Sequence, residues 1–268
     1  MAIPSVIFEG ETPRNYEDYL GPYLFEPYAA DLVSRIDFTD ASRVLELACG
    51  SGRLTAHIAQ QLPPNAAFTA TDLSEDMISV AKTKVPTDRI TWALADMMDL
   101  PFEDQSFDLV ICQFALMLVP DQPKALSGIY RILKPGGQLL FSTWTDLEYN
   151  KLWAIGNEVI KAIIGKSPMS RNPGPFALGD ANAVLDSLTT AGFANPTYNT
   201  VTNTGEFSSA QQAAHGFIYG LPIGLFIQKE QPAAMPTILT RLEERLRTTL
   251  GDHPLKVPQK ALVFHATR

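Results

Sequence analysis

A short apolar segment followed by two glycines and an amphipathic stretch is the most informative pattern in the chain. Residues 44–47 are apolar except for Glu46, which is typical of a strand buried in a sheet. Gly50 and Gly52 follow, and glycine lets the backbone turn sharply and a ligand approach closely. Between residues 53 and 62 the apolar side chains recur at helical spacing. The pattern predicts a strand, a glycine turn and a helix whose N-terminus suits a polar or anionic ligand.

The same periodicities divide the rest of the chain into alternating strands and helices after an irregular stretch at residues 1–18. Further strands are predicted at residues 67–71, 90–93, 106–112, 138–143, 197–202 and 261–267. Helices are predicted at residues 22–36, 75–84, 122–133, 148–164, 181–191, 207–220 and 236–250. Ser74 and Asp180 stand where N-caps are expected. This alternation indicates an α/β fold.

The glycine turn distinguishes between kinds of nucleotide site. A dinucleotide fingerprint requires G-x-G-x-x-G/A, and in that frame the chain places Ala48, Gly50 and Arg53, which fit poorly. Read as E-x-A-x-G-x-G, the segment resembles motif I of the class I S-adenosylmethionine-dependent methyltransferases. The run R-I-L-K-P-G-G-Q-L-L at residues 131–140 is a second match. Ala48 replaces the first glycine of motif I, which is harmless if φ at Ala48 is negative. A tight turn that binds no ligand is the alternative.

The resemblance covers most of residues 43–144 and implies an α/β, Rossmann-like methyltransferase sheet of seven strands. The strand order would be 3-2-1-4-5-7-6 with strand 7 antiparallel, and residues 197–202 and 261–267 would be strands 6 and 7. One class I methyltransferase domain then spans residues 1–268. The additions to it would be an N-terminal lid and helix at residues 1–38 and helical insertions that form the substrate cap at residues 145–179 and 203–258.

Two acidic residues follow the glycine turn at informative spacings. Asp72 ends a strand about twenty residues past the turn, where a carboxylate accepts hydrogen bonds from both ribose hydroxyls. An ordinary strand-end aspartate is the alternative. By resemblance, Asp96 accepts from the adenine amino group, and Leu73 and Met97 enclose the ring. The predicted cofactor-binding residues are Glu46, Ala48, Gly50, Gly52, Asp72, Leu73, Met77, Asp96, Met97 and Gln113.

Aromatic residues crowd the segments that lie outside the minimal fold. The tyrosines near residues 16–28 either close over the ligand or only pack a helix onto the sheet. The segments at residues 144–176 and 215–226 are rich in apolar and aromatic side chains, which suits a small hydrophobic acceptor. The predicted substrate-binding residues are Tyr16, Tyr19, Tyr23, Phe114, Trp144, Phe176, His215 and Tyr219.

Methyl transfer from a sulfonium needs mainly orientation and exclusion of water, so no obligatory nucleophile has to appear in the sequence. A general base helps only when the acceptor must lose a proton. Among the four histidines, His215 is the one that we expect near the substrate, and it is the weak candidate for a catalytic residue. A structural histidine is the alternative.

Composition restricts the partners. The formal net charge is −8, without a block of lysine and arginine, which argues against nucleic acid or an anionic membrane as partner. Cys49 and Cys112 form no CxxC or Cys/His cluster, so we expect no metal. The N-terminal residues suggest no signal peptide or membrane span, which makes the cytoplasm the expected location. A monomer and a homodimer are both compatible with the sequence.

The sequence therefore predicts an S-adenosylmethionine-dependent methyltransferase that acts on a small, apolar or aromatic organic acceptor and releases S-adenosylhomocysteine. Two alternatives remain open. One is a Rossmann-type NAD(P)-dependent oxidoreductase, against which the missing third glycine counts. The other is a protein that binds S-adenosylmethionine without catalysis, because catalysis by positioning leaves few marks in a sequence.

Overall fold

The computed structural model describes residues 8–169 and 174–268, which form one seven-stranded sheet in the order β3-β2-β1-β4-β5-β7-β6. The strands are β1 Arg43–Leu47, β2 Ala67–Asp72, β3 Ile90–Leu94, β4 Phe107–Gln113, β5 Leu133–Trp144, β6 Ala194–Phe207 and β7 Leu255–Thr267. Strands β1 to β5 pair in parallel, and β7 runs antiparallel to both of its neighbours. The predicted sheet order and the antiparallel strand 7 are confirmed.

Helices cover both faces of the sheet and one of its ends. They are α1 Thr12–Tyr19, α2 Glu26–Ser34, α3 Arg53–Gln61, α4 Glu75–Lys84, α5 Gln122–Ile132, α6 Lys151–Ile164, α7 Ala181–Thr190, α8 Ala210–Tyr219, α9 Ile223–Glu230 and α10 Met235–Leu250. The two predicted N-caps are confirmed. Ser74 Oγ accepts from the Met77 N–H at 3.1 Å, and Asp180 Oδ1 accepts from Asn182 N–H at 3.0 Å.

The N-terminal region differs from its prediction. Residues 12–18, expected to be irregular, belong to α1, and a π-helical turn at Gly21–Phe25 connects α1 to α2. Proline lies in the first turn of each of these helices, where its missing N–H costs no hydrogen bond. Helix α9 was also not predicted, because its eight residues are too few to show a clear period.

Strands β5, β6 and β7 are all longer than predicted. Strand β5 begins at Leu133, ahead of the Lys-Pro-Gly-Gly run, and Gly136 takes a φ of +79° inside it. Strands β6 and β7 continue together until Phe207 pairs with Leu255. Residues 203–207, which the sequence analysis gave to the second insertion, belong to β6, and the insertion itself stays a prediction.

Two hydrophobic clusters bury the faces of the sheet, and a third joins α1, α2 and the helices α6 and α8–α10. We call α6 and α8–α10 the cap, and residues 8–34 the lid segment. Trp144, the last residue of β5, and Phe114, which follows β4, belong to this third cluster. The cap and lid segment are thus packed against the carboxyl ends of the central strands.

Candidate functional site

A cavity of about 800 Å³ lies at the carboxyl ends of four adjacent parallel strands. The terminal residues Leu47 of β1, Asp72 of β2, Gln113 of β4 and Trp144 of β5 all contribute to its wall. Ligands of open parallel sheets bind at this edge, near the point where the order of the strands reverses. Here the order reverses between β1 and β4, which makes the cavity the candidate site.

The glycine turn follows β1 with three residues in the left-handed region. Ala48 has φ +54°, Gly50 +53° and Gly52 +81°. A Cβ at Gly50 would meet nothing within 4 Å, so this position leaves open space beside the cavity. At Gly52 a Cβ would lie 2.9 Å from the Ala81 Cβ of α4, so this glycine allows helix packing and does not line the cavity. The negative φ under which Ala48 would be harmless is not found.

Asp72 is fixed by two backbone donors. Its Oδ2 accepts from the Gly50 N–H at 2.8 Å and its Oδ1 from the Ser74 N–H at 2.9 Å. Burial raises the pKa of Asp72, and these backbone hydrogen bonds oppose that shift. A carboxylate oxygen accepts more than one hydrogen bond, so both oxygens can still receive a ribose hydroxyl. Asp72 therefore both orders the glycine turn and offers acceptors to a ligand.

The cavity continues toward β3 with a second carboxylate and apolar side chains. Asp96 Oδ1 accepts from the Met98 N–H at 2.8 Å, which orients the carboxylate. Leu73 is 53% exposed although it is a large apolar residue in the cavity wall. Met77 and Met97 line the same region. This end suits a flat heterocycle that covers the apolar side chains and donates to Asp96.

Glu46 does not reach the cavity. Its side chain is buried under the glycine turn, where burial raises the pKa of the carboxyl to about 8. Its Oε2 has no hydrogen-bond partner among the described residues, and the same holds for the buried Ser51 Oγ and Thr55 Oγ1. The structure therefore gives Glu46 an internal position, and its assignment to the cofactor stays a prediction.

The other end of the cavity is aromatic. Phe114 takes a φ of +51° and stacks on Trp144 with ring centroids 3.9 Å apart. Tyr16 stacks on Phe25 at 4.7 Å, and Phe25 meets Trp144 at 6.0 Å. Burial raises the pKa of Tyr16, so its hydroxyl stays protonated. The cavity wall also includes residues outside the predicted substrate set, namely Phe8, Phe25, Met117, Trp153, Leu221, Ile223 and Phe226.

Five predicted substrate residues lie outside this cavity, namely Tyr19, Tyr23, Phe176, His215 and Tyr219. His215 packs between Tyr19 and Tyr219 with ring centroids at 4.5 and 4.7 Å, where it joins α1 to α8. Burial lowers the pKa of His215. The structure therefore gives His215 a packing contact between α1 and α8, and its place beside the substrate stays a prediction.

The other two aromatic residues in this set also have structural contacts. Tyr23 packs against Phe207 at 4.7 Å, and its hydroxyl accepts from Gln212 Nε2 at 3.0 Å. Phe176 packs edge-on against Trp153 at 5.8 Å and so lies behind a wall residue. Aromatic residues in helices look alike in a sequence whether they face a core or a cavity, so the pattern could not separate them.

The lid segment is tied to the glycine turn and to α4. Arg53, the first residue of α3, pairs with Glu17 at 2.6 Å and with Glu26 at 2.8 Å. Lys84 pairs with the same Glu17, and the Gly10 N–H donates to Asp76 Oδ2 at 2.8 Å. These contacts hold the segment across the end of the cavity that the glycine turn and Asp72 form.

Two further observations concern residues 8–169 and 174–268, the parts of the chain that the structure describes. No three side chains among His, Cys, Asp and Glu come close enough there to hold a metal ion. None of the helices in those parts is both long and apolar enough to cross a membrane.

Comparisons with known proteins agree with this geometry. Residues 45–141 match the methyltransferase domain family. A demethylmenaquinone methyltransferase of Symbiobacterium thermophilum is 38% identical over 43% of the chain and 48% of that protein. A ubiquinone/menaquinone biosynthesis C-methyltransferase of Geobacter sulfurreducens is 34% identical over 50% of the chain and 55% of that protein. The chain thus spans about half the length of the curated relatives that it matches.

A solved structure gives a likeness over nearly the whole chain. Phosphoethanolamine N-methyltransferase 2 of Haemonchus contortus, in complex with S-adenosylhomocysteine, has a TM-score of 0.60. The match covers 96% of this chain and 57% of that chain at 18% identity, which shows a common fold. These findings do not favour the oxidoreductase alternative. The sheet order thus gives the chain the class I methyltransferase fold, and residues 45–141 within it are similar to the methyltransferase domain family.

Proposed function

We propose that the protein transfers a methyl group from S-adenosylmethionine to a small, apolar or aromatic acceptor. The observation that carries the proposal is the continuity of the cavity. One space joins the carboxylates Asp72 and Asp96 to the stacked rings of Phe114 and Trp144. A cofactor at the first end and an acceptor at the second would therefore share one enclosure.

The residues of the first end fit this cofactor. The Asp72 carboxylate has free lone pairs for the ribose hydroxyls, and Asp96 stands beside the exposed Leu73, which offers a surface for adenine. The open space at Gly50 admits the amino-acid portion close to the backbone. When bound, the cofactor supplies a methyl group already activated by its sulfonium.

The chain's own contribution to the transfer is orientation and exclusion of water. Displacement at a methyl carbon requires the nucleophile in line with the bond that breaks, and holding two reactants in that geometry removes much of the barrier. The aromatic residues Phe25, Phe114 and Trp144 are buried and fix the shape of the second end. The apolar wall also keeps water from competing with the acceptor.

The acceptor class follows from the lining of the second end. Aromatic and aliphatic side chains of the lid segment and the cap, including Trp153 and Phe226, form its wall. Such pockets enclose ligands that are mostly apolar with a few polar groups. The name of one relative, demethylmenaquinone methyltransferase, gives that protein an acceptor of the quinone class. We therefore propose a flat hydroxylated aromatic ring as acceptor.

Two measurements on the full chain test the function. Calorimetry should show binding of S-adenosylmethionine and S-adenosylhomocysteine and no binding of NAD. Radiolabelled S-adenosylmethionine with 1,4-dihydroxynaphthalene as probe acceptor, under anaerobic conditions, should then give a labelled aromatic product. Absence of cofactor binding contradicts the proposal altogether. Cofactor binding without transfer to any of a panel of aromatic acceptors leaves the non-catalytic alternative as the better account.

A further inference from the structure

Gln113 occupies a special place on the cavity edge. From β3 to β5 the strand ends carry Asp96, Asp72, the glycine turn, Gln113 and Trp144 in that spatial order. The proposed cofactor uses the first three of these positions, with adenine at Asp96 and the amino-acid portion at Gly50. Gln113 is the next side chain along the edge, and the aromatic end begins directly behind it. It therefore stands where cofactor and acceptor meet.

The NH₂ group of the Gln113 amide has a hydrogen-bond partner in the protein, and its oxygen has none among the described residues. Its Nε2 donates to the carbonyl oxygen of Phe25 at 3.0 Å. A carbonyl oxygen only accepts hydrogen bonds, so this contact determines which end of the amide is the NH₂ group. The amide is planar, and Oε1 faces away from Phe25. No donor among the described residues reaches Oε1, although Gln113 is partly buried in the cavity wall.

The backbone next to Gln113 limits other orientations. Gln113 is the last residue of β4 and pairs with Ser142 of β5. Phe114 follows with φ +51°, a conformation that is strained for a bulky side chain, and its N–H donates to the Ser142 carbonyl at 3.0 Å. Strain of this kind persists only where the surrounding structure holds it, and it is concentrated at functional sites. The backbone from which the Gln113 side chain extends is thus held in place by its neighbours.

We propose that Gln113 Oε1 accepts a hydrogen bond from a hydroxyl or N–H group of the acceptor and so positions the acceptor's reactive atom. The proposal rests on the proposed function, and it reassigns to the acceptor a side chain that the sequence analysis gave to the cofactor. Gln113 removes no proton, because an amide oxygen is too weak a base. It acts as a positioning and specificity-determining residue.

The lid segment takes part in this arrangement. Phe25 lies in the π-helical turn, and its carbonyl is the group that orients the amide. When the lid segment is in place, Oε1 is presented and Nε2 is occupied. An acceptor with an oxygen that only accepts, such as an ether, finds no partner there. The site therefore favours acceptors that carry a donor.

Two probes and two proteins measure this preference by calorimetry in the presence of saturating S-adenosylhomocysteine. The probes are 1,4-dihydroxynaphthalene and 1,4-dimethylnaphthalene, which have similar shapes but differ in the donors. Gln113→Met keeps the size of the side chain and removes the acceptor oxygen. The ratio of the affinities for the two probes is compared between the wild type and Gln113→Met, so the difference in hydrophobicity between the probes cancels. We expect Gln113→Met to reduce the relative affinity for the dihydroxy probe by about 3- to 12-fold, as for one neutral hydrogen bond.

Two controls separate the outcomes. S-adenosylhomocysteine affinity should stay within about twofold in Gln113→Met, and Gln113→Asn, whose oxygen sits one carbon back, should not restore the preference. The proposal is overturned if Gln113→Met keeps the preference of the wild type, or if only its cofactor affinity falls. Wild-type protein that binds S-adenosylhomocysteine but neither probe also overturns it, since the ring must fit beside Gln113. Loss of cofactor binding in the wild type would instead contradict the proposed function.

Discussion

Asp72 orders the glycine turn and, in the proposed function, also receives the ribose of the cofactor. Its two oxygens accept from Gly50 and Ser74, so the carboxylate closes the gap between the ends of β1 and β2. A ligand would find this group already held in place, which lowers the entropy lost on binding. Removing it should therefore affect both the loop and the cofactor.

We predict that Asp72→Ala weakens S-adenosylmethionine binding by about 1.5–3 kcal/mol, because a charged hydrogen-bond acceptor is lost. Asp72→Asn should weaken it less, since one oxygen remains. Calorimetry measures both, and Asp88→Ala, at an exposed position outside the cavity, is the control. Equal affinities in Asp72→Ala and the wild type would show that Asp72 is only a strand-end residue.

Glu46 makes a pH-dependent contribution of a separate kind. Burial raises the pKa of its carboxyl from 4.5 to about 8, so the folded protein binds a proton that the unfolded chain has already lost between these values. The free energy of unfolding should fall as the pH rises through this window and become constant above it. The Thr55 hydroxyl opposes this rise of the pKa, but the effect of burial is larger.

We predict that Glu46→Gln, which resembles the protonated carboxyl, removes this part of the pH dependence. The variant should equal the wild type in stability near pH 5 and exceed it near pH 9, by about 1.4 kcal/mol for every pH unit that separates the folded and unfolded pKa values of Glu46. Urea unfolding at the two pH values measures the difference. Glu103→Gln, at an exposed carboxyl, is the control. An unchanged slope between the two pH values would show that Glu46 is ionised throughout.

At the scale of elements, the placement of Arg53 indicates that the lid segment is held by charge. A cation in the first turn of a helix opposes the helix dipole, so its place at the start of α3 needs another cause. The Glu17 and Glu26 carboxylates supply it. Glycine at position 21 provides the space for the Arg53 side chain, since a Cβ there would lie 2.1 Å from Arg53 Nε. Deletion of the segment would be a poor test, because Leu20 and Leu24 are core residues.

We predict that Glu17→Gln together with Glu26→Gln loosens the lid segment without removing its apolar contacts. Dissociation of S-adenosylhomocysteine, followed by stopped-flow fluorescence, should become about three to ten times faster, as expected from the loss of partly exposed ion pairs that contribute about 0.2–1 kcal/mol each. Glu11→Gln changes an exposed carboxylate just before α1 and should leave the rate unchanged. A wild-type rate in the double variant would mean that the segment is only part of the core.

At the scale of the whole molecule, the proposed function gives cofactor and acceptor to different parts of the chain. The strand ends and glycine turn form one end of the cavity, and the cap closes the other. Helix α9 carries a residue of the cavity wall and an exposed residue two positions apart. Ile223 is 6% exposed in the cavity wall, whereas Leu225 is 47% exposed. A bulky residue should therefore affect the cavity at position 223 and have no effect on it at position 225.

We predict that Ile223→Trp blocks the acceptor end and lowers transfer to 1,4-dihydroxynaphthalene at least tenfold, because the larger side chain in the cavity wall occupies space that the acceptor needs. Affinity for S-adenosylmethionine should stay within about twofold. Leu225→Trp should leave both quantities unchanged. Transfer assays and calorimetry on the two variants check this. Equal transfer in both variants would show that the acceptor binds elsewhere.

The sheet could be predicted from the sequence because parallel strands buried on both faces give continuous apolar runs. Asp72 was singled out because it ends such a run at an informative spacing, and Asp96 by resemblance, and the roles of both stay predictions. The cap was harder. Trp153 and His215 both sit in apolar helical stretches, yet one lines the cavity and the other packs against Tyr19. Ala48 gave no sign of its positive φ, which the neighbouring elements impose.

The contacts of the lid segment also determine when, during synthesis and folding, this segment can reach its final position. Tyr23 accepts from Gln212, 189 positions later, and its carbonyl accepts from Gln259, 236 positions later. A ribosome makes this segment before these two partners. Closing so long a loop is entropically costly until the sheet has brought its ends together. The enclosure over the cofactor end is thus finished late in folding, and a nascent chain would carry the uncovered side chains of α1 until the cap emerges.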